Sequence, residues 1–372
     1  TRARFRFGSA QDAARQAPVL DTIGSEAPPA RPLLNGAAMI TFTSGSTGQP
    51  KGVVLARERI SAKFATIREA IGLDGQAVAA VPLQLQFSFG QWATFLPLCL
   101  GGTVHMTARF SPAWVEALLS EGRLTHLAAV PTMLRMLLDG PAETGPLSIL
   151  TGGEAVAERL RDALFDRFPA ATLHSIYGLT ETGTCDLFRV DRADLPAPGG
   201  LGFPGKGIAV RTDPETSELL IRSPFGMLGY LDNPEGTAAT LTDGWLHTGD
   251  VAEIAADGSV RLKGRIKELI NRGGNKVSPL EVEAIFAGHP GVKAVLATGV
   301  PDPRIGEAIH LLVVPLTPTP PTPEELLAWA KGRTDRFKLP DAIHFADSLP
   351  LGNTGKADRA ALRRDILAGT GR

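Results

Sequence analysis

The amino-acid sequence predicts an α/β fold: a larger region of β-sheets packed with helices, followed by a compact α+β module. Short apolar, β-branched runs alternate with helical stretches up to Ala209, and beyond it the texture shifts to shorter β segments. The chain has 372 residues, 43% hydrophobic and 21% charged, so it can bury a sizeable core and lies far from the disordered class. Its 41 glycines and 29 prolines punctuate the chain without forming a repeat, as expected for many short elements joined by turns.

Taken in order, Arg2, Arg4 and Arg6 alternate with Ala3, Phe5 and Phe7, the pattern of a short edge strand with a basic outer face. Residues 37–43 read as a buried strand. Residues 57–71 read as a helix, because Ile60, Phe64, Ile67 and Ile71 recur three to four apart. Further strands are expected at 78–82, 124–130, 148–150 and 171–177, with helices at 111–120 and 131–138 between them. After Ala209 come strands at 218–222 and 260–263, separated by the turns Asp243-Gly244 and Asp257-Gly258. The C-terminal module has a helix at 279–288 and strands at 292–300 and 308–315. The Pro-rich stretch 317–323 is a loop inside that module, since Thr322-Pro323-Glu324-Glu325 is a helix start with an N-cap, a first-turn proline and a capping-box glutamate.

Composition and motifs narrow the classes of function, leaving nucleic-acid or membrane binding unsupported but not ruled out. With 38 Lys plus Arg against 39 Asp plus Glu, the formal charge of −1 supplies no global field toward nucleic acid or an anionic membrane. Cys99 and Cys185 cannot form a disulfide framework and suit a reducing compartment, so the cytoplasm is expected. No apolar run approaches the roughly 20 residues of a membrane-spanning helix. There is no H-E-x-x-H, C-x-x-C or G-x-S-x-G motif. Gly200-Leu201-Gly202-Phe203-Pro204-Gly205 fits a dinucleotide fingerprint in spacing, but it follows prolines and opens no helix, and it reads as a loop.

The strongest local signal is Thr43-Ser44-Gly45-Ser46-Thr47-Gly48-Gln49-Pro50-Lys51-Gly52, directly after an apolar strand. Its glycines let backbone approach a ligand, and its hydroxyls and Lys51 supply donors for a polyphosphate. It is not a Walker loop, because Gly52 stands where a metal-binding Ser or Thr would be.

From this loop onward the chain resembles the adenylate-forming superfamily of acyl-CoA synthetases, peptide-synthetase adenylation domains and firefly luciferase. Thr151-Gly152-Gly153-Glu154 is similar to the family's adenine-side loop, and Tyr177-Gly178-Leu179-Thr180-Glu181-Thr182 to its aromatic-Gly-x-Thr-Glu motif. Trp245-Leu246-His247-Thr248-Gly249-Asp250, Gly264-Arg265-Ile266-Lys267-Glu268 and Asn353-Thr354-Gly355-Lys356 are similar to its Thr-Gly-Asp, hinge and terminal-lysine motifs. The resemblance implies an AMP-binding core domain over 1–266, short at its start, and a mobile C-terminal domain over 267–372 carrying the lysine.

It also implies roles. ATP, Mg²⁺ and CoA are the expected cofactors, with a small carboxylic acid as substrate. Thr43, Ser44, Gly45, Ser46, Thr47, Gly48 and Lys51 would cradle phosphates, and Gly152, Gly153, Glu154, Tyr177 and Gly178 would surround the adenine. Asp250 and Arg265 would take the ribose hydroxyls. Thr180 would donate to the α-phosphate, and Glu181 would hold the metal, although a carboxylate there also suits a helix start. Lys356 would enter the site for adenylation and leave for the second step, whereas Lys267 would sit at the hinge. Gly273 and Gly274 would line a pantetheine tunnel or form an ordinary turn. Phe87, Phe89, Gly152, Gly178 and Gly183 would line the acyl pocket.

The chain departs from the family in two places. Only 42 residues precede the phosphate loop, so most of the first subdomain is expected to be missing and an uncovered face to favour homo-oligomers. Residues 82–90 also lack both the His common in acyl-CoA synthetases and the Asp that amino-acid-activating relatives use, which disfavours an α-amino acid. The resulting expectation is an acid–thiol ligase that passes its acyl group to CoA. The alternatives are transfer to a carrier protein's phosphopantetheine, or a nucleotide-binding subunit without independent turnover.

Overall fold

The computed structural model describes residues 2–4, 21–23, 31–43, 50–143, 145–195, 200–352 and 357–369. Its centre is a seven-stranded sheet in the order Phe203–Pro204, Leu187–Arg192, Ala171–Tyr177, Leu147–Gly152, His126–Ala128, Val78–Val81, Thr103–Met106. The last five of these run parallel to one another, and Leu187–Arg192 returns antiparallel to Ala171–Tyr177. A parallel sheet needs cover on both faces. One face packs Val115, Leu134, Leu160 and Leu164 from helices Pro112–Ser120, Pro131–Met136 and Glu158–Arg167. The other packs Ile67, Ile71, Trp92 and Leu96 from helices Arg57–Ile71 and Ser88–Cys99.

Two smaller sheets flank this centre. A three-stranded sheet has the order Gly229–Tyr230, Lys51–Ala56, Ala37–Thr43. Trp245–Ile254 is the spine of a five-stranded sheet, pairing with Glu218–Arg222, Leu241–Thr242 and Val260–Arg265. Beyond a single 3-10 turn at Ile266–Glu268, the C-terminal sheet begins at Ile270 and centres on the long hairpin Val292–Asp302 with Gly306–Pro315. Helices Pro279–Ala287, Pro323–Ala330 and Arg359–Leu367 belong to that module, which has its own core around Phe286, Ile309, Leu311 and Leu326. No helix among the described residues is long and apolar enough to cross a membrane.

Many expected elements match closely. Helix Arg57–Ile71 has the expected bounds, and the Thr322 capping box starts helix Pro323–Ala330 as expected. Arg2–Arg4 does form a short strand, paired antiparallel with Asp21–Ile23. The stretch 200–205 opens no helix and contributes only the two-residue strand Phe203–Pro204. One expectation needs correction. Ala37–Thr43 is a strand but not a buried one, because it forms the edge of the three-stranded sheet and leaves Phe42 56% exposed. In helix Arg57–Ile71 the buried side chains are Lys63, Ile67 and Ile71, while Ile60 and Phe64 are only half-buried. A lysine thus takes a core position.

His174, on strand Ala171–Tyr177, is buried with its Nδ1 unpaired. Burial, and secondarily the nearby His126, pushes its pKa down to about 4. The unfolded chain therefore binds a proton that the folded chain rejects. Stability is full above the ordinary histidine pKa and is lost as pH falls from there toward about 4. The shift corresponds to roughly 3 kcal/mol. Denaturant unfolding between pH 7 and pH 4.5 should show this decline, and His174→Leu should remove most of it.

Candidate active site

The carboxyl ends of the parallel strands open into one cleft of about 890 Å³. Leu83, Val130, Gly152, Gly153, Ile176 and Gly178 line it and lie at or just beyond the ends of Val78–Val81, His126–Ala128, Leu147–Gly152 and Ala171–Tyr177. In open parallel sheets this is the usual ligand position, because the loops there diverge. Two glycines are required by close packing. A Cβ on Gly152 would stand 2.8 Å from the Ile176 carbonyl oxygen, and one on Gly178 would stand 2.4 Å from the Cys185 nitrogen.

After Gly178 the chain makes the 3-10 turn Thr180–Thr182, which presents Thr180 and Glu181 to the cleft. The Thr180 hydroxyl donates to Ser88 Oγ at 3.3 Å, at the start of helix Ser88–Cys99. Glu181 Oε1 accepts the Tyr230 hydroxyl at 2.8 Å. Burial, followed by the Glu181 charge, pushes the Tyr230 phenol up, so it remains a donor. Lys51 Nζ lies 4.7 Å from the centroid of the Tyr230 ring, which puts a cation, a phenol and a carboxylate in one row. Glu181 keeps a second carboxylate oxygen for a hard cation. Among the described residues no three His, Cys, Asp or Glu side chains form a metal cage. The donor set thus fits Mg²⁺, which is held by one or two carboxylates together with substrate phosphates.

On the opposite wall Asp250 is 2% exposed and holds two partners. Its Oδ2 accepts the Tyr177 hydroxyl at 2.6 Å, and its Oδ1 accepts Arg265 Nε at 2.9 Å. Burial first, then the Asp250 charge, raises the Tyr177 phenol well above its ordinary value. Glu218 fixes the adjoining loop, taking His247 Nδ1 at 2.8 Å and the Gly249 amide at 2.7 Å. Glu218, His247, Thr248, Gly249, Arg265 and Lys267 all line the cleft.

The structure therefore brings Thr43, Lys51, Gly152, Gly153, Gly178, Thr180, Glu181, Arg265 and Lys267 to one cleft, with Phe87 and Phe89 on its apolar side. Other expected residues are placed differently. Tyr177 and Asp250 stand behind the lining, with Tyr177 packed against the core of the five-stranded sheet. Glu154 is not among the lining residues, and Gly183 lines a smaller adjacent cavity. Gly273 and Gly274 make the left-handed turn between Ile270–Arg272 and Asn275–Val277, away from the lining. Ser44, Gly45, Ser46, Thr47, Gly48 and Lys356 lie outside the described residues. Following Lys356 in sequence, Arg359 donates to Glu268 at 2.8 Å, beside Lys267.

Sequence reasoning missed Ser88, Glu218 and Tyr230. Tyr230 carried a usable signal: it is one of only two tyrosines and stands three residues before the helix start Asn233-Pro234-Glu235.

Compared with known proteins, the chain matches the AMP-binding enzyme family over residues 4–231 and the AMP-binding enzyme C-terminal domain over residues 281–356. It is 34% identical over 363 residues to a feruloyl-CoA synthase from Amycolatopsis sp, covering 93% of this chain and 73% of that protein. It is also 34% identical over 352 residues to the fatty acid–[acyl-carrier-protein] ligase ScoC from Streptomyces coeruleorubidus, covering 87% of this chain and 66% of that one. Among solved structures, o-succinylbenzoate CoA synthetase from Bacillus subtilis with ATP and magnesium ion superposes with a TM-score of 0.76 at 26% identity, covering 87% of this chain and 69% of that one. The chain belongs to the AMP-binding enzyme family.

Asp250→Ala would remove the acceptor of the Tyr177 hydroxyl and strip Arg265 of its carboxylate partner, whereas Tyr177→Phe leaves Asp250 paired with Arg265. Denaturant unfolding should find Asp250→Ala about 1–3 kcal/mol less stable than Tyr177→Phe.

Proposed function

We propose that this protein is an AMP-forming acid–thiol ligase that activates a carboxylic acid with ATP and passes the acyl group to CoA. One observation carries the reading: a single cleft presents Thr180, Glu181 and Lys51 to a polyphosphate and an apolar wall to an acid. In the first step a carboxylate oxygen attacks the α-phosphorus, the bond to the bridging oxygen breaks, and pyrophosphate leaves. In the second, the CoA sulfur attacks the acyl carbonyl and AMP departs, the thiol proton passing to water or phosphate.

Both reactants of the first step are anions, so the protein must hold them together and supply donors where charge accumulates. Thr180 donates to the α-phosphate, while Tyr230 keeps Glu181 oriented toward the metal side. Glu181 would hold magnesium beside the phosphates, where the ion would neutralise phosphate charge. Arg265, held from behind by Asp250, meets the ribose from the far wall. Lys356 brings a cation in for adenylation; at about 4 Å from a developing anion this is worth about 4 kcal/mol at an effective dielectric near 20. Residues 267–372 move as one domain about Lys267 between the two steps.

Phe87, Phe89, Trp92 and Met133 suit an acid with an apolar body. No aspartate is among the described lining residues; of the two lining glutamates, Glu218 is paired with His247 and Glu181 is given to the metal, which leaves no carboxylate dedicated to an α-ammonium group among them. Similarity to a carrier-protein ligase makes phosphopantetheine the second acceptor to test.

A panel of carboxylic acids screened by pyrophosphate release, with and without CoA, tests substrate and acceptor together. Aryl or alkyl acids should support turnover to thioester, and α-amino acids should not. Lys356→Ala should lower adenylation at least about 10²-fold while sparing thioester formation from supplied acyl-adenylate. Equal loss of both half-reactions would contradict the role given to Lys356.

A further inference from the structure

Behind the Thr180–Glu181 turn lies an ion pair that the reaction as derived does not use. Lys63 Nζ stands 3.0 Å from Asp186 Oδ1, and the two side chains are 2% and 0% exposed. Lys63 also lies over the Phe225 ring, at 5.2 Å. The other Asp186 oxygen accepts the Thr182 hydroxyl. Burial pushes the Asp186 carboxyl up, and the Lys63 charge pulls it back. Taking two charges out of water is costly, and a buried pair is seldom the most stable filling for its space, so a role beyond stability is the more economical account.

The pair brackets a strained segment. Gly183, Thr184 and Cys185 all have left-handed φ, at 83°, 65° and 53°. Two of these carry side chains that disfavour that region, and such residues persist only where their surroundings over-determine them. Here the surroundings are helix Arg57–Ile71. Lys63 holds Asp186 at one end of the segment. One turn earlier Arg59 donates to the carbonyls of Gly226 and Met227, at 2.6 and 2.9 Å. The Met227 amide in turn donates to the Glu181 carbonyl at 2.7 Å, and Ser223 donates to that of Thr182 at 2.9 Å. This helix directly follows Lys51–Ala56, the second strand of the phosphate-loop hairpin.

We propose that Lys63 and Asp186 are positioning residues that lock the left-handed segment and so fix Thr180 and Glu181 relative to the phosphate loop. The inference rests on the ligase reading for its kinetic consequence but not for its structural one, and the test separates the two.

The test compares wild type with the double variant Lys63→Met/Asp186→Leu, which removes both charges and leaves neither partner unpaired. The unliganded double variant should melt within about 4 °C of wild type, yet its amides over residues 179–186 should exchange hydrogen at least about tenfold faster. This readout stands whether or not any acid turns over. In ATP–pyrophosphate exchange, kcat should fall at least about tenfold and half-saturating magnesium should rise, with the KM for the acid within about twofold and thioester formation from supplied adenylate unchanged. Unchanged hydrogen exchange in a folded double variant would overturn the proposal, as would equal losses in both half-reactions. If the double variant does not fold, Lys63→Arg is read instead. A longer, planar cation should displace Asp186 and speed amide exchange across the same residues at least about threefold, and unchanged exchange would again overturn the proposal. A wild type with protected amides but no pyrophosphate exchange with any acid would sink the ligase reading alone.

Discussion

The turn from Tyr177 to Asp186 is where the protein's sheets are tied together. Tyr177 bonds Asp250 on the five-stranded sheet, Glu181 bonds Tyr230 on the three-stranded sheet, and Asp186 pairs with Lys63 on the helix that follows the phosphate-loop hairpin. The turn itself continues a central strand of the seven-stranded sheet. Its tight course requires Gly178 to have no side chain, because the Cys185 and Asp186 backbone occupies that space. The groups that line the cleft are therefore held by contacts to both flanking sheets and to helix Arg57–Ile71.

This arrangement answers an electrostatic problem. A cleft for two anions has to offer donors without filling itself with its own counter-ions. Several polar side chains around it are satisfied from behind: Asp250 by Tyr177 and Arg265, Glu218 by His247 and the Gly249 amide. Such fixed, pre-paired groups need little reorganisation when a charged ligand arrives, the condition under which electrostatic stabilisation is strongest. The apolar side is equally preformed. Phe89 stacks on Trp92 with ring centroids 5.4 Å apart, where helix Ser88–Cys99 begins.

Much of the fold was legible because its signals are local. The three-to-four spacing of Ile60, Phe64, Ile67 and Ile71 located a helix to the residue, and the capping chemistry of Thr322 and Glu325 located another. The order of motifs along the chain identified the family, because several short patterns in sequence constrain it far more than one. What stayed hidden depends on partners distant in sequence. Lys63 looks like a solvated helical lysine until Asp186, 123 positions away, folds against it. Tyr230 acquires meaning only once Glu181 lies beside it. Asp250 was expected to face the ligand, and only the folded chain shows both its carboxylate oxygens already taken, by Tyr177 and Arg265. The apolar composition of Ala37–Thr43 predicts a buried strand, because composition cannot reveal a sheet edge.

The proposed nucleotide-binding wall of the cleft depends on the Tyr177–Asp186 turn holding this one course. Calorimetric titration of a non-hydrolysable magnesium–ATP analogue into wild type and a folded Gly178→Ala variant tests it most directly, since a methyl at Gly178 must push the Cys185 backbone aside. Wild type should bind at a single site, and the variant at least about tenfold more weakly. Equal affinity in the two proteins, or no binding to wild type, would contradict it.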